Sequence, residues 1–181
     1  MNALAPGFLI AMPQLGDPNF NRSVILVIEH GEGGAMGLVL NRAAPLTLKD
    51  VANGQELLIA ESLEGEPIYL GGPVEPQRGF VLHDSAEVEE RHEVLPGLFL
   101  SVTMDAFAPM LKRGGMKLRF CLGYAGWGAG QLEQEISQGA WLFTEASQGA
   151  VLEGDAEKLW EDTLRSMGVD PAMLFQAKGV N

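Results

Sequence analysis

Gly123-Tyr124-Ala125-Gly126-Trp127-Gly128-Ala129-Gly130-Gln131-Leu132-Glu133-Gln134-Glu135-Ile136 joins two kinds of secondary structure. Upstream, Met116–Leu122 alternates as a strand, with Met116, Leu118, Phe120 and Leu122 on one face and Lys117, Arg119 and Cys121 on the other. Downstream, Leu132 and Ile136 stack at the i, i+4 spacing of a helix over Gly130–Ser137, and a strand over Ala140–Thr144 follows. The glycines between them open backbone space for a sharp turn.

Working outward, further strands are expected at Phe8–Met12, Ser23–Glu29, Met36–Leu40, Leu57–Glu61, Ile68–Leu70, Gly79–Leu82 and Leu98–Met104. Asp105 is placed to cap a helix over Ala106–Arg113, which Gly114 stops. Asp155 is placed to cap another over Ala156–Met167, with Leu159, Trp160, Leu164 and Met167 as its apolar stripe. Asp170-Pro171 restarts a short helix, and Thr47-Leu48-Lys49-Asp50 opens one more turn. Strands come first, helices are interspersed, and no regular βαβ alternation appears. The expectation is an α+β fold, a single domain over residues 1–181, with a mixed, mostly antiparallel sheet.

Composition narrows the function. Twelve Lys and Arg face twenty-four Asp and Glu, a net charge of −12. Affinity for DNA comes largely from neutralising phosphates, so direct nucleic-acid binding is disfavoured. The densest basic cluster is Lys112, Arg113, Lys117 and Arg119, expected at a helix end and on a solvent-facing strand edge. No apolar run reaches the length of a membrane helix, and no Lys or Arg precedes Phe8–Met12 to make it a signal peptide. The expectation is a cytoplasmic protein with no membrane partner. Cys121 is the single cysteine, so no internal disulfide or Cys-rich zinc site is available.

Several blocks in order resemble the YqgE/AlgH family of bacterial proteins. They are Pro6–Pro13, Asp17–Ser23, Glu29-His30, Gly34–Arg42, Gly71–Val74, Leu82-His83 and Gly123–Ile136. The resemblance runs from residue 6 to about residue 175. It implies a curved, barrel-like sheet flanked by helices, and a link to transcriptional regulation. It carries no catalytic residue.

Candidate binding residues lie within those blocks. Gly126, Gly128 and Gly130 before a helix suit an anion held by free backbone N–H groups, although Glu133 and Glu135 would repel one. The alternative is that Tyr124 and Trp127 pack in the core, with Gln131 and Glu135 one helical turn apart beside them. Asn19, Asn21 and Arg22 form a polar loop in which Arg22 suits a carboxylate or phosphate, or instead pairs with Asp17 or Glu29. His30, Asn41, Arg42, His83 and Asp84 sit at strand ends, either as a rim for an acidic small molecule or as ordinary strand caps. Gly71-Gly72 permits close approach of a ligand or another chain, or is a plain turn. Nearby cations would lower the pKa of Cys121. Met167, Met173 and Phe175 pack in the core or dock a partner.

No cofactor motif appears, and neither His-x-His nor HExxH spacing supports a metal. No nucleophile elbow is present either. The expectation is a binding or regulatory domain for a small molecule or protein partner. A DNA-binding regulator and an enzyme using Arg22, His30, His83 or Cys121 are the alternatives.

Overall fold

The computed structural model describes residues 4–18 and 20–174. Asn19 and Phe175 lie outside them. Among the described residues the strands are β1 (Gly7–Ala11), β2 (Val24–Gly31), β3 (Gly34–Val39), β4 (Ala43–Thr47), β5 (Pro67–Leu70), β6 (Val74–His83), β7 (His92–Leu95), β8 (Leu98–Ser101), β9 (Leu118–Trp127) and β10 (Trp141–Thr144). The helices are α1 (Leu48–Gly54), α2 (Met104–Arg113), α3 (Gln131–Ser137), α4 (Gln148–Glu153) and α5 (Leu159–Ser166). The sheet runs β10-β1-β2-β3-β9-β6-β8-β7, with β4 and β5 branching from β9. Pairing is antiparallel except between β5 and β9. The fold is therefore α+β with a mixed, mostly antiparallel sheet. That sheet is open, since β10 and β7 do not pair, so "barrel-like" describes its curvature only loosely.

Alternation along the strands sorts the core. Phe8 and Ile10 of β1, Val24 and Leu26 of β2, Leu38 of β3, Phe80 and Leu82 of β6 and Leu100 of β8 fill the inner face, with Leu159, Trp160 and Leu164 of α5 against them. The outer face carries two separate clusters. Phe107, Met110 and Leu111 of α2 cover Phe120, and Leu132 of α3 covers Ala125, Trp127 and Trp141. With helices on both faces, little of the sheet reads as apolar-in, polar-out. Burying one large apolar side chain is worth about 1.5–3 kcal/mol, so each helix is held mainly by such contacts.

Arg119 shows what this double covering does. It was expected on a solvent-facing edge, but β9 is central and Arg119 is 3% exposed. Its guanidinium donates to the carbonyls of Leu40 and Gly154, the latter at 2.8 Å, and lies 4.4 Å from the Tyr69 ring centroid. The strand also continues five residues beyond Leu122, so Gly123–Trp127 is sheet and not turn. Gly123 adopts φ 76, and this irregularity shifts the alternation by one residue. Cys121 and Tyr124 consequently both face the inner core.

Other expectations change as well. Residues 57–60 are no strand; the backbone N–H of Leu57 bonds to Ala52 and that of Ala60 to Leu111, tying this stretch to helices. The edge strands β4 and β7 were not anticipated, because Pro45 and the polar His92-Glu93 mask them. Thr103, not Asp105, caps α2 by accepting from Ala106 at 3.2 Å. The helix expected over 156–167 is shorter, Leu159–Ser166, because Asp155 spends its side chain on the Glu157 N–H in a turn. Ser147 caps α4, which was not foreseen. Thr47 and Asp50 form a reciprocal capping box on α1, and Asp170 accepts from Ala172 as residues 171–174 turn helical. No helix among the described residues is long and apolar enough to cross a membrane.

Candidate functional site

Helix α5 packs against one part of the inner core and leaves the other end of the sheet uncovered. A cleft of about 890 Å³ occupies the open end. Ile28, Met36, Phe80, Leu100, Val102 and Tyr124 form its floor, which is continuous with the inner core. Glu29, Arg78, His92 and Glu93 stand at its rim. The floor has aromatic order: Phe80 and Tyr124 meet edge to face with centroids 5.8 Å apart, and the Arg78 guanidinium lies 5.1 Å from the Phe80 centroid. Arg78 also bonds Glu75 at 3.3 Å, a half-exposed pair that an incoming group can displace. An apolar floor with a few charged groups at its mouth is the usual make-up of a binding site.

Of the residues singled out from sequence, Tyr124, Gly126 and Trp127 line this cleft. Arg22 and Asn21 line another, of about 230 Å³, beside Trp160, whose ring lies 5.1 Å from the Arg22 guanidinium. Asn41 and Arg42 brace that loop. Asn41 accepts from Val24 N–H at 3.0 Å and donates to the Arg22 carbonyl at 2.9 Å. Arg42 donates to the carbonyls of Pro18 and Asn21, each at 3.0 Å.

His30 is buried. Its Nδ1 accepts from Leu4 N–H at 3.0 Å and its Nε2 lies 3.4 Å from the Glu133 carboxylate. His83 is fully buried at the end of β6. Its Nδ1 accepts from Ser85 N–H at 3.1 Å, so Nε2 carries the proton and donates to Ser101 Oγ at 2.9 Å. Ser101 in turn donates to the Glu90 carbonyl at 2.6 Å. Burial holds the His83 pKa below its ordinary value, against the pull of Asp84 and Glu90.

Cys121 is also fully buried, and burial pushes its thiol up to about 12. The Arg119 cation opposes this more weakly, which reverses the expectation of a lowered value. Arg22, His30, His83 and Cys121 share no cleft among those described. No group of three or more potential metal ligands occurs among the described residues.

Gly71 and Gly72 serve the chain's own crossing. Val39 N–H bonds to Gly71 O at 2.8 Å and Gly71 N–H to Leu122 O at 2.7 Å, so this segment is wedged between β3 and β9. A Cβ on Gly71 would overlap the Gly123 carbonyl, and one on Gly72 the backbone of Tyr124. Exposed Gln131 and half-buried Glu135 are likewise engaged within the chain. Glu135 Oε1 accepts from the indoles of Trp127 at 3.1 Å and Trp141 at 2.9 Å, and Oε2 accepts from Gln131 at 2.9 Å. Gln131 Oε1 accepts from Gly128 N–H at 2.9 Å, filling the helix N-terminus where an anion was considered.

Glu29, Arg78, Phe80, His92 and Glu93 were missed from sequence. One signal was available: Arg78, Phe80 and Leu82 alternate along one strand face. His92 and Glu93 sit on an edge strand that gives no such signal.

A family model described as AlgH-like (DUF179) matches residues 8–172. A UPF0301 protein of Myxococcus xanthus is 64% identical over 181 residues, covering 100% of both chains. The solution structure of the AlgH protein from Pseudomonas aeruginosa superposes with a TM-score of 0.76 at 38% identity, covering 96% of this chain and 94% of that one. The crystal structure of DIP2367 from Corynebacterium diphtheriae gives a TM-score of 0.71 at 26% identity, covering 92% and 87%.

Proposed function

Because this chain belongs to the AlgH-like family and carries an apolar cleft at the open end of its sheet, we propose that it is a binding domain. The cleft receives the apolar or aromatic part of a small ligand or of a protein partner. The observation that supports this most is the exposed continuation of the inner core: Ile28, Met36, Phe80 and Tyr124 line open space where packing alone would favour closing it. Arg78 and His92 at the rim then select polar substituents. An indirect role in transcription, as the family resemblance implies, would run through such a partner in the cytoplasm, since a net charge of −12 opposes direct contact with DNA.

A thermal-shift screen against metabolites and nucleotides tests the reading. Ligand at a hundredfold its dissociation constant adds about 2.7 kcal/mol, a rise of roughly 5–10 °C for a chain of this size. Tyr124→Ala and Arg78→Ala are expected to abolish the rise. A ligand whose affinity survives both changes binds elsewhere and refutes the assignment.

A further inference from the structure

A second cavity, of about 320 Å³, lies between α2 and the loop of residues 84–91. Val88, Ala106, Met110 and Met116 give it an apolar floor. Four acidic residues, Glu87, Glu89, Glu90 and Asp105, complete the lining. Arg113 is the one cation among the lining residues, and Glu87 already pairs with it.

The loop wall is stiff although it contains no regular structure. Ser85 is tied to His83, and Glu87 N–H bonds to Ser85 Oγ at 3.3 Å. Arg91 donates to the Val88 carbonyl at 2.9 Å. Lys117 N–H bonds to Asp84 at 3.0 Å. Glu90 Oε1 accepts from the N–H groups of Val102 at 2.7 Å and Thr103 at 2.8 Å. Glu90 Oε2 is buried with no hydrogen-bond donor, and His92 Nε2 lies 3.6 Å from it. The cavity is thus preformed, and ordering its wall costs an incoming ligand little.

Its electrostatics select the ligand. Its lining holds four acidic residues and one cation, and that cation is already paired with Glu87, which leaves Glu89 and Asp105 as the exposed acids at the cavity. An anion is repelled there, and a neutral apolar ligand gains the floor but desolvates the acids around it. We propose that this cavity binds a small organic ammonium ion carrying an apolar or aromatic body, with the body on the Val88–Met110–Met116 floor and the ammonium at the Glu89 and Asp105 carboxylates. The volume is near the lower bound of about 300 Å³ for ligand pockets, which suits a single ring system with a short amine arm.

The test uses two probes of similar shape and opposite charge, tryptamine and indole-3-propionate, titrated into the intact protein and followed by amide chemical shifts. Tryptamine is expected to shift residues 87–90 and 105–110 and to bind at least about tenfold more tightly than the acid, a difference of about 1.4 kcal/mol. The double variant Glu89→Gln/Asp105→Asn changes two exposed residues and leaves the fold intact; it is expected to remove most of that preference. Equal binding of the two probes, no tryptamine binding, shifts confined to the Tyr124 cleft, or an unchanged preference in the double variant would each overturn the proposal. Binding at the Tyr124 cleft is read from separate resonances, so the two sites stand or fall independently.

Discussion

Trp127 and Trp141 cross edge to face with ring centroids 6.0 Å apart, and both indoles donate to one oxygen of Glu135. The pair joins β9 to β10 across the outer face, and α3 is docked by a carboxylate that neither indole can replace. Charge-assisted hydrogen bonds of this kind contribute more than neutral ones, and their loss strands buried donors.

Glu135→Ala is therefore expected to destabilise the protein by about 3 kcal/mol, the sum of two buried indole donors left without an acceptor. The melting temperature should fall by roughly 6–12 °C. Glu135→Gln keeps an acceptor oxygen and should cost clearly less. Calorimetry on both variants decides this; equal losses would show that charge and not acceptance holds α3.

Gly72 has φ 156 and its missing Cβ faces the Tyr124 backbone. Gly72→Ala must push β9 away from the crossing segment, and a cost above about 3 kcal/mol is expected. Gly149, inside α4 with only the Glu153 carboxylate at 3.9 Å, is the contrast. Gly149→Ala should stabilise by about 0.5–1 kcal/mol through helix propensity. Urea unfolding of the two variants measures both signs.

His83 is held neutral by burial, so its folded pKa lies below its unfolded value of 6.5. Below that value the unfolded chain binds the extra proton more readily than the folded one. The stability supplied by the Ser85–His83–Ser101 chain is complete above pH 6.5 and declines as pH falls toward the folded pKa. Unfolding free energies measured between about pH 7.5 and 5.5 should fall in the native protein. His83→Gln, less stable throughout, should show a shallower fall.

Cys121 should resist thiol reagents in the folded protein at neutral pH, since a buried thiol raised to about 12 presents almost no thiolate. Full reaction is expected once guanidinium unfolds the chain. Rapid labelling of the native state would mean that β9 opens locally at this point.

The strands with strong apolar periods were legible in the sequence because their side chains decide their faces. Phe8–Met12 and Met36–Leu40 lie within a residue or two of β1 and β3. What escaped depended on contacts distant in sequence. Arg119 looks solvent-facing until Leu40, Tyr69 and Gly154 are brought around it. His83 looks like a rim residue until Ser101 Oγ accepts the hydrogen bond from its Nε2–H. The cleft was half legible: Tyr124 and Trp127 stood out by composition. Arg78 and His92 owe their place to how the sheet curls, which no local pattern records.

The ladder between β3 and β9 contains three residue pairs, Ala35–Trp127, Met36–Gly126 and Gly37–Ala125, before the Gly71 segment enters between the strands. Mechanically this is a narrow isthmus between two half-sheets, and it lies under the cleft mouth. The outer edges add no further link, because β10 and β7 do not pair, so the halves are held here by those three pairs and by the Val39–Gly71 and Gly71–Leu122 hydrogen bonds. An occupant that wedges the halves apart therefore loads Trp127 and, through Glu135, helix α3.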